Sequence, residues 1–174
     1  MRRWGEKMKR EKGFTLIELL IVLTIILIIA AMTIPSVIST KIHANETSAI
    51  ASIKAIQTAQ TSYSATYGAQ GYAGSLAALG GLESCTPSPA TACLLDEVLA
   101  SGSKAGYNFA VVGGHPVNGA NTAYVTSAAP AAYKQTGVRR FCSTEKNVIR
   151  WEENTEGSTT PPTAEECGRF EAMR

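Results

Sequence analysis

Hydrophobic and polar positions divide the chain into one continuous apolar segment near the N-terminus and a longer part of mixed pattern. Residues 14–34 are 21 positions with a single charged side chain, Glu18. About 20 apolar residues in a helix are needed to cross the core of a bilayer, so this segment is predicted to be a transmembrane helix. A carboxylate inside such a helix costs roughly 2.5–3.5 kcal/mol. Glu18 is therefore expected to have a partner for its carboxylate or a functional role.

The apolar positions after Ser36 become sparser but keep a helical spacing of three, four or seven residues. They are Ile42, Ala49, Ile53, Ile56, Gln60, Tyr63 and Tyr67, and the polar Lys41, Glu46, Lys54 and Gln57 are predicted to lie on the other faces. Gly68 is suited to the C-terminal cap. The pattern predicts one helix over residues 14–67, apolar all round in its first half and amphipathic in its second. Pro35 lacks an N–H group, so the helix is predicted to kink or open there.

The rest of the chain shows the alternation that is typical of strands. Strands are predicted over 107–111, 122–127, 138–143 and 148–151, forming a three- or four-stranded antiparallel meander whose apolar face covers the helix. Gly113-Gly114 and Asn118-Gly119 are predicted to mark the first turn. Residues 68–92 are expected to form a long loop and residues 94–100 a short helix, followed at the end of the chain by a polar tail. The fold class is α+β.

The positive charge of the chain is concentrated at its N-terminal tip. The net charge is +2, but residues 1–13 carry +4 and the remainder carries −2. An excess of Lys and Arg beside an apolar span places that flank in the cytoplasm, so everything after the span should lie outside. The folded part has no dense basic patch, and no specific nucleic-acid partner is expected.

The four cysteines, Cys85, Cys93, Cys142 and Cys167, all fall in the part predicted to be exported. An even number in an oxidising compartment indicates two disulfides, with three possible pairings. We favour Cys85–Cys93 and Cys142–Cys167, each of which closes a loop. Free thiols or a zinc site are the alternatives, but no Cys-x-x-Cys is present.

Motifs for catalysis or metal binding are not found in the sequence. His43 and His115 are far apart and neither has metal-ligand spacing. Gly113-Gly114-His115-Pro116 is interpreted as a turn rather than a phosphate-binding loop. The acidic residues of the C-terminal tail match no calcium-loop template. The sequence thus predicts no enzyme, no cofactor and no metal.

The start of the apolar segment has a more specific pattern, Lys12-Gly13-Phe14-Thr15-Leu16-Ile17-Glu18. It resembles the prepilin cleavage motif of type IV pilins and of the pseudopilins of type II secretion: a short basic leader ending in Gly, then Phe, then Glu four residues later. Pro35 also falls where these proteins commonly have a helix-breaking proline. The resemblance is specific for residues 7–35 and only architectural beyond them. The apolar run by itself also fits a secretory signal peptide or an uncleaved signal anchor.

The resemblance implies that a membrane prepilin peptidase cuts between Gly13 and Phe14 and methylates the new amino group of Phe14. It also implies that Glu18 then takes part in assembly. In a filament of parallel helices, the amine of an incoming subunit would meet Glu18 of its neighbour. A paired carboxylate is tolerated where an unpaired one is costly, so Glu18 is expected to set the axial register. The alternative is an interfacial Glu18 whose carboxylate reaches water.

The predicted organisation has four parts. Residues 1–13 are a basic leader that is removed, 14–35 the transmembrane and assembly half of the helix, and 36–67 its amphipathic half. Residues 68–174 form the exported head, with a long loop, a sheet and a disulfide-closed C-terminal loop. This is a type IV pilin-like fold, a long N-terminal helix packed on a small antiparallel sheet.

The function that the resemblance implies is that of a structural subunit of a type IV pilus, a homo-oligomeric helical filament. The precursor would cross the inner membrane once with its N-terminus in the cytoplasm and later join a filament in the periplasm or at the cell surface. Its partners would be the peptidase, an assembly platform and a motor ATPase. One alternative is a pseudopilin of a type II secretion or DNA-uptake system. Another is a monomeric membrane-anchored binding protein, in which Gly13 is never cut and Glu18→Ala leaves function intact.

Overall fold

The structure, a computed structural model, describes residues 13–81 and 84–173, and for residues 32–36 it describes the backbone alone. The predicted leader lies outside the described residues except for Gly13. The chain divides into two compact units, one up to Val37 and one from Ile38 onward. The functional segment discussed below belongs to the first unit, and the globular head belongs to the second.

The first element is the long helix α1, Leu16–Thr66, which agrees with the predicted helix to within two residues at its start and one at its end. In its second half, Ile53 and Ile56 are completely buried, as the helical spacing predicted. The helix continues without interruption through residue 35, but the Pro35 side chain lies outside the described residues. The predicted kink at that position stays a prediction.

Six antiparallel strands form one sheet in the order β1-β2-β3-β4-β5-β6. They are β1 (Ser103–Lys104), β2 (Tyr107–Val117), β3 (Ala120–Pro130), β4 (Arg139–Thr144), β5 (Ile149–Glu153) and β6 (Glu171–Ala172). The helix-plus-antiparallel-sheet class is confirmed, and the four predicted strands are present. Only the two-residue edge strands β1 and β6 were not predicted, because a segment that short carries no alternation.

The turn between β2 and β3 is at Asn118-Gly119, and the predicted turn at Gly113-Gly114 is wrong because both glycines lie within β2. Asn118 and Gly119 have φ values of 52° and 87°, as a two-residue hairpin loop of the primed type requires. β2 and β3 stay paired up to the turn, beyond the part of the hairpin that covers the core. Glycine in a strand interior can mark a close approach of other groups, and an added Cβ at Gly113 would meet the side chain of Asn121.

The two faces of the sheet have different partners. Tyr107, Phe109 and Val111 are buried on the inner face and belong to the same apolar cluster as Ile53 and Ile56 of α1. A second, smaller cluster on the outer face joins Cys142, Cys167 and Phe170. The sheet is therefore the middle layer, with α1 on one side and the C-terminal segment on the other.

The C-terminal segment contains a short helix, α4 (Ala164–Arg169), where the sequence predicted only a polar tail. Thr163 and Glu166 form a capping box at its start, a pattern that the sequence displays as Thr-Ala-Glu-Glu. Arg140 of β4 donates to Glu152 at 2.7 Å and to Glu166 at 3.2 Å. These contacts and a disulfide hold α4 on the sheet.

The long loop between α1 and the sheet contains two further short helices, α2 (Leu76–Leu79) and α3 (Glu97–Ala100). The sequence predicted α3 over 94–100. It begins later because the Asp96 carboxylate accepts a hydrogen bond from the Leu99 N–H at 2.9 Å, which makes Asp96 the N-cap. The side chain of Asp96 is therefore a cap and not merely a solvated helix face.

Two disulfides are present, Cys85–Cys93 and Cys142–Cys167, and they are the pairs that the sequence favoured. The first closes a loop between α2 and α3. The second joins β4 to α4 across the outer face of the sheet. No free cysteine is left.

Polar contacts attach the second half of α1 to the head, and one of them corrects the sequence analysis. Glu46, predicted to lie on a polar face, is 1% exposed. Its carboxylate accepts hydrogen bonds from Arg139 Nε at 2.9 Å and Nη2 at 2.6 Å and from the Val138 N–H at 3.1 Å. Gln60 is also buried and bonds both the N–H and the carbonyl of Ala73.

Candidate functional site

The predicted processing site is the short stretch of residues 13–15 that precedes α1. Gly13 and Phe14 are exposed, and Phe14 is 75% exposed. An added Cβ at Gly13 would meet nothing within 4 Å, so no contact among the described residues requires glycine there. The peptide bond that the resemblance identifies as the scissile one is accessible in the isolated subunit.

Thr15 and Glu18 form a reciprocal capping arrangement at the start of α1. The Glu18 N–H donates to Thr15 Oγ1 at 3.3 Å, and the Thr15 hydroxyl and N–H lie 3.2 and 3.5 Å from Glu18 Oε2. This is the Ser/Thr-x-x-Glu pattern of a capping box. Sequence analysis gave Thr15 no role, although the spacing Thr15-Leu16-Ile17-Glu18 was a visible signal for one.

The Glu18 carboxylate is stabilised by local contacts at the start of α1. It lies in the first turn of α1, where the helix dipole favours a negative charge. Among the described residues, the hydrogen bonds to this carboxylate come from Thr15 alone. They leave Glu18 exposed, so the carboxylate is available to an amine from outside the subunit.

The large apolar side chains that follow Glu18 are exposed in the part of the chain that the structure describes. Every large hydrophobic side chain from Leu16 to Ile29 is between 45% and 82% exposed. Fully burying one Leu, Ile or Val contributes about 1.5–3 kcal/mol, so this surface strongly favours an apolar environment. The same half-helix can be covered by lipid or by sister helices.

The exposure of these side chains does not by itself show that the helix crosses a membrane. Within the part of the chain that the structure describes, no helix meets the combined length and hydropathy criteria for spanning a membrane.

The remaining residues singled out in the sequence are structural or lie elsewhere. The Thr24 hydroxyl donates to the Ile21 carbonyl at 2.8 Å, as expected for a hydroxyl in an apolar helix. His43 is exposed with Nδ1 3.9 Å from Glu46, and His115 lies in β2. Among the described residues, no group of three His, Cys, Asp or Glu could hold a metal ion.

The head contains ionisable groups whose pKa values depart from the usual range for structural reasons. Hydrogen bonds from the Thr163 N–H and hydroxyl, aided by Arg140, lower the pKa of Glu166. The N–H of Leu99 and the ammonium of Lys104 lower the pKa of Asp96. Burial raises the pKa of Tyr124 to about 12 and also raises that of Tyr107. Each of these pKa shifts arises from a helix cap or from burial in the core.

Comparisons with known proteins match part of the chain. Residues 8–34 match a family model described as the prokaryotic N-terminal methylation motif. The chain is 46% identical over 54 residues to the type IV major pilin protein PilA of Myxococcus xanthus, covering 31% of this chain and 24% of that protein. It is 55% identical over 40 residues to the type IV wide pilus major component PilA4 of Thermus thermophilus, covering 23% and 30%.

The matched region thus spans about a quarter to a third of the length of these relatives. No solved structure matches the chain.

Proposed function

We propose that the chain is a structural subunit of a type IV pilus, because residues 8–34 match the N-terminal methylation motif and part of the chain is similar to type IV major pilins. A prepilin peptidase cuts between Gly13 and Phe14 and methylates the new amine. The mature chain then polymerises through α1, and its sheet domain lies on the outside of the filament.

The observation that carries this proposal is the combination of an uncovered apolar half-helix with one accessible carboxylate at its start. The side chains from Leu16 to Ile29 need an apolar environment, which a bundle of sister helices supplies. Burial in such a bundle removes water from Glu18, and removing water from an unpaired charge costs several kcal/mol. A methylated ammonium on Phe14 of the neighbouring subunit supplies the compensating charge.

Cleavage creates this ammonium, and so it links processing to assembly. The uncleaved chain has an amide at Phe14 and a leader with a net charge of +4. The cut exposes a cation and removes the leader, whose charges hold the N-terminus on the cytoplasmic side. Only processed subunits can then offer Glu18 its partner. Before assembly, Thr15 keeps the carboxylate hydrogen-bonded.

Mass spectrometry of the protein isolated from cells tests the processing step. The expected N-terminal peptide starts at a methylated Phe14. Gly13→Val, which changes only the residue before the cut, should leave the leader attached. An unprocessed N-terminus in the wild-type protein would overturn the proposal.

Quantifying sheared filaments from cells that produce single variants tests the role of Glu18. We expect Glu18→Gln to be processed normally and to assemble poorly, because it keeps the size and hydrogen-bonding capacity of the side chain but loses the charge. Thr15→Val removes the cap hydroxyl and should assemble better than Glu18→Gln. Thr24→Val, in the same apolar segment, is the matched control and should assemble like wild type. Equal defects in Thr15→Val and Glu18→Gln would reduce Glu18 to a helix cap.

The partners and location follow from the same proposal. The precursor is held in the inner membrane with its N-terminus in the cytoplasm, and an assembly platform and a motor ATPase add it to the filament. Electron microscopy with an antibody against the head should show long surface filaments. Short periplasmic assemblies alone would indicate the pseudopilin alternative.

A further inference from the structure

The outer face of the head has a cleft that is lined by residues of the head alone. It lies between the β2–β3 hairpin and the residues that lead into α4, and its volume is about 390 Å³. Val112, Ala123 and Val125 form the sheet side, and Pro162 lies on the opposite side. Ligand pockets typically have volumes of 300–1,000 Å³ and mostly apolar walls. This cleft has the size and wall chemistry for a small organic ligand.

Gly114 keeps the floor of the cleft open, and no contact in the fold requires a glycine there. Its φ is not positive, and an added Cβ would come no closer than 4.0 Å to any atom, the nearest being in Ala123. The neighbouring Gly113 is different, because a Cβ there would lie 2.5 Å from the Asn121 side chain. Glycine weakens a strand interior. Gly114 is therefore explained by the open cleft and not by local packing.

Ser127 places a hydroxyl at the same cleft. The residue is 2% exposed and lines the cleft from β3. Among the residues that the structure describes, the buried side-chain atoms without a hydrogen-bond partner are Thr126 Oγ1 and Arg140 Nε, so the Ser127 oxygen is not a buried orphan but a hydroxyl at the cleft wall. A ligand with a hydrogen-bonding group can bond to this hydroxyl.

Among the described residues that line the cleft, Glu145 is the one carboxylate and none is a lysine or an arginine. Glu145 is half-buried there and makes no ion pair within the described part of the chain. His115, also at the rim, has the left-handed φ of 48°, which a non-glycine residue rarely adopts and which is enriched at functional sites. The Thr122 hydroxyl holds this conformation by donating to the His115 carbonyl at 2.6 Å. The charge at the rim favours a cationic ligand.

We propose that this cleft binds a small amine with an apolar body. The apolar body lies against Val112 and Val125, the ammonium faces Glu145, and a hydrogen bond from the ligand reaches Ser127. An anion is disfavoured because Glu145 repels it. The proposal concerns the head alone and does not depend on the proposed role of Glu18 in assembly.

Ligand-observed saturation-transfer NMR on the full chain in lipid nanodiscs tests the proposal. Three probes of nearly equal size separate shape from charge: phenethylamine, phenethyl alcohol and phenylacetate. Empty nanodiscs measure partition into lipid. We expect saturable binding of phenethylamine, weaker binding of the alcohol and the weakest binding of phenylacetate. Glu145→Gln should remove the preference of the protein for the amine over the alcohol.

Two variants locate the binding. Gly114→Val fills the cleft and should weaken phenethylamine binding at least about tenfold while the head stays folded, since β-branched residues suit strands. Ser127→Ala should weaken it by roughly three- to tenfold, the usual worth of one hydrogen bond. Val117→Ala, on the same strand but outside the cleft, is the matched control and should bind like wild type.

Near-UV circular dichroism establishes that each variant is folded before its binding is measured. Weaker phenethylamine binding in both folded variants, by at least about tenfold in Gly114→Val and roughly three- to tenfold in Ser127→Ala, with unchanged binding in Val117→Ala, supports the cleft. The proposal is overturned by the absence of saturable binding to the wild type, by unchanged binding in Gly114→Val, or by equal affinity for phenethylamine and phenylacetate.

Discussion

The buried ion pair between Glu46 and Arg139 gives the sharpest prediction about how α1 is attached to the head. The Glu46 side chain is 2% exposed and the Arg139 side chain is 32% exposed. We expect removal of the arginine to destabilise the head more than removal of the glutamate. Arg139→Met removes the cation and keeps the apolar stem, whereas Glu46→Gln removes the anion and keeps the shape.

The expected magnitudes follow from which group is left without its partner. Arg139→Met leaves a fully buried carboxylate with the Val138 N–H and the more distant His43. Breaking a buried pair in this way costs about 3–5 kcal/mol. Glu46→Gln leaves an arginine that water can reach, and a hydrogen bond to a charged group contributes about 1.5–3 kcal/mol, so we expect a loss of about 2 kcal/mol.

Thermal unfolding of the full chain in detergent micelles, followed by near-UV circular dichroism, measures the difference. The signal reports the tyrosines and tryptophan of the head. A loss of 3–5 kcal/mol should lower Tm by roughly 10–20 °C in a domain of this size. The double variant Glu46→Gln/Arg139→Met should lose less than Arg139→Met alone, because no buried charge is left unpaired.

Two results would refute this reasoning. One is an Arg139→Met variant that loses less than about 1 kcal/mol, the range of an exposed ion pair. The other is strict additivity in the double variant, which would show that the two residues do not interact energetically.

Three further predictions concern the caps, the core and the crosslinks of the head. Because the folded-state pKa of Glu166 is lowered, its contribution to stability is present above the unfolded value near 4.3 and is lost as pH falls through the folded value. The protection of the α4 amides against hydrogen exchange, relative to an unfolded peptide at the same pH, should therefore fall below about pH 4. Glu166→Gln should make this protection less dependent on pH, and an unchanged pH profile in the variant would contradict the prediction. Because the pKa of Tyr124 is raised to about 12, its contribution is complete below about pH 10 and is lost as pH rises towards 12. Alkaline unfolding should shift upward in Tyr124→Phe, and an identical transition would show that another group controls it. The loop closed by Cys142–Cys167 spans 25 residues and that closed by Cys85–Cys93 spans 8, so replacing the first pair by Ala should cost about 1 kcal/mol more by chain entropy. Denaturant midpoints measure this, and the reverse order would mean that native contacts outweigh loop closure.

The sequence by itself determined the features that depend on neighbouring residues in the chain. The periodicity of apolar positions predicted α1 and four strands, since a repeat of 3.6 or 2 residues places side chains on one face without knowledge of the partner. The stretch from Gly13 to Glu18 was sufficient to predict the match to the N-terminal methylation motif, because its residue types follow one another at fixed spacing. The capping box of Thr15 and Glu18 was equally local and could have been read from the same letters.

The tertiary structure decided what depends on residues far apart in the chain. Glu46 looked like a polar-face residue, and its burial became visible only when Arg139, 93 positions later, was found beside it. Gly113 and Gly114 suggested a turn, but Asn118-Gly119 forms the turn, and pairing with β3 keeps both glycines in a strand. The outer-face cleft combines β2, β3 and the residues before α4. The periodicity of apolar residues predicts the face of a helix or strand on which a side chain lies. The residues that pack against that face come from distant segments of the chain, and the periodicity of one segment carries no information about them.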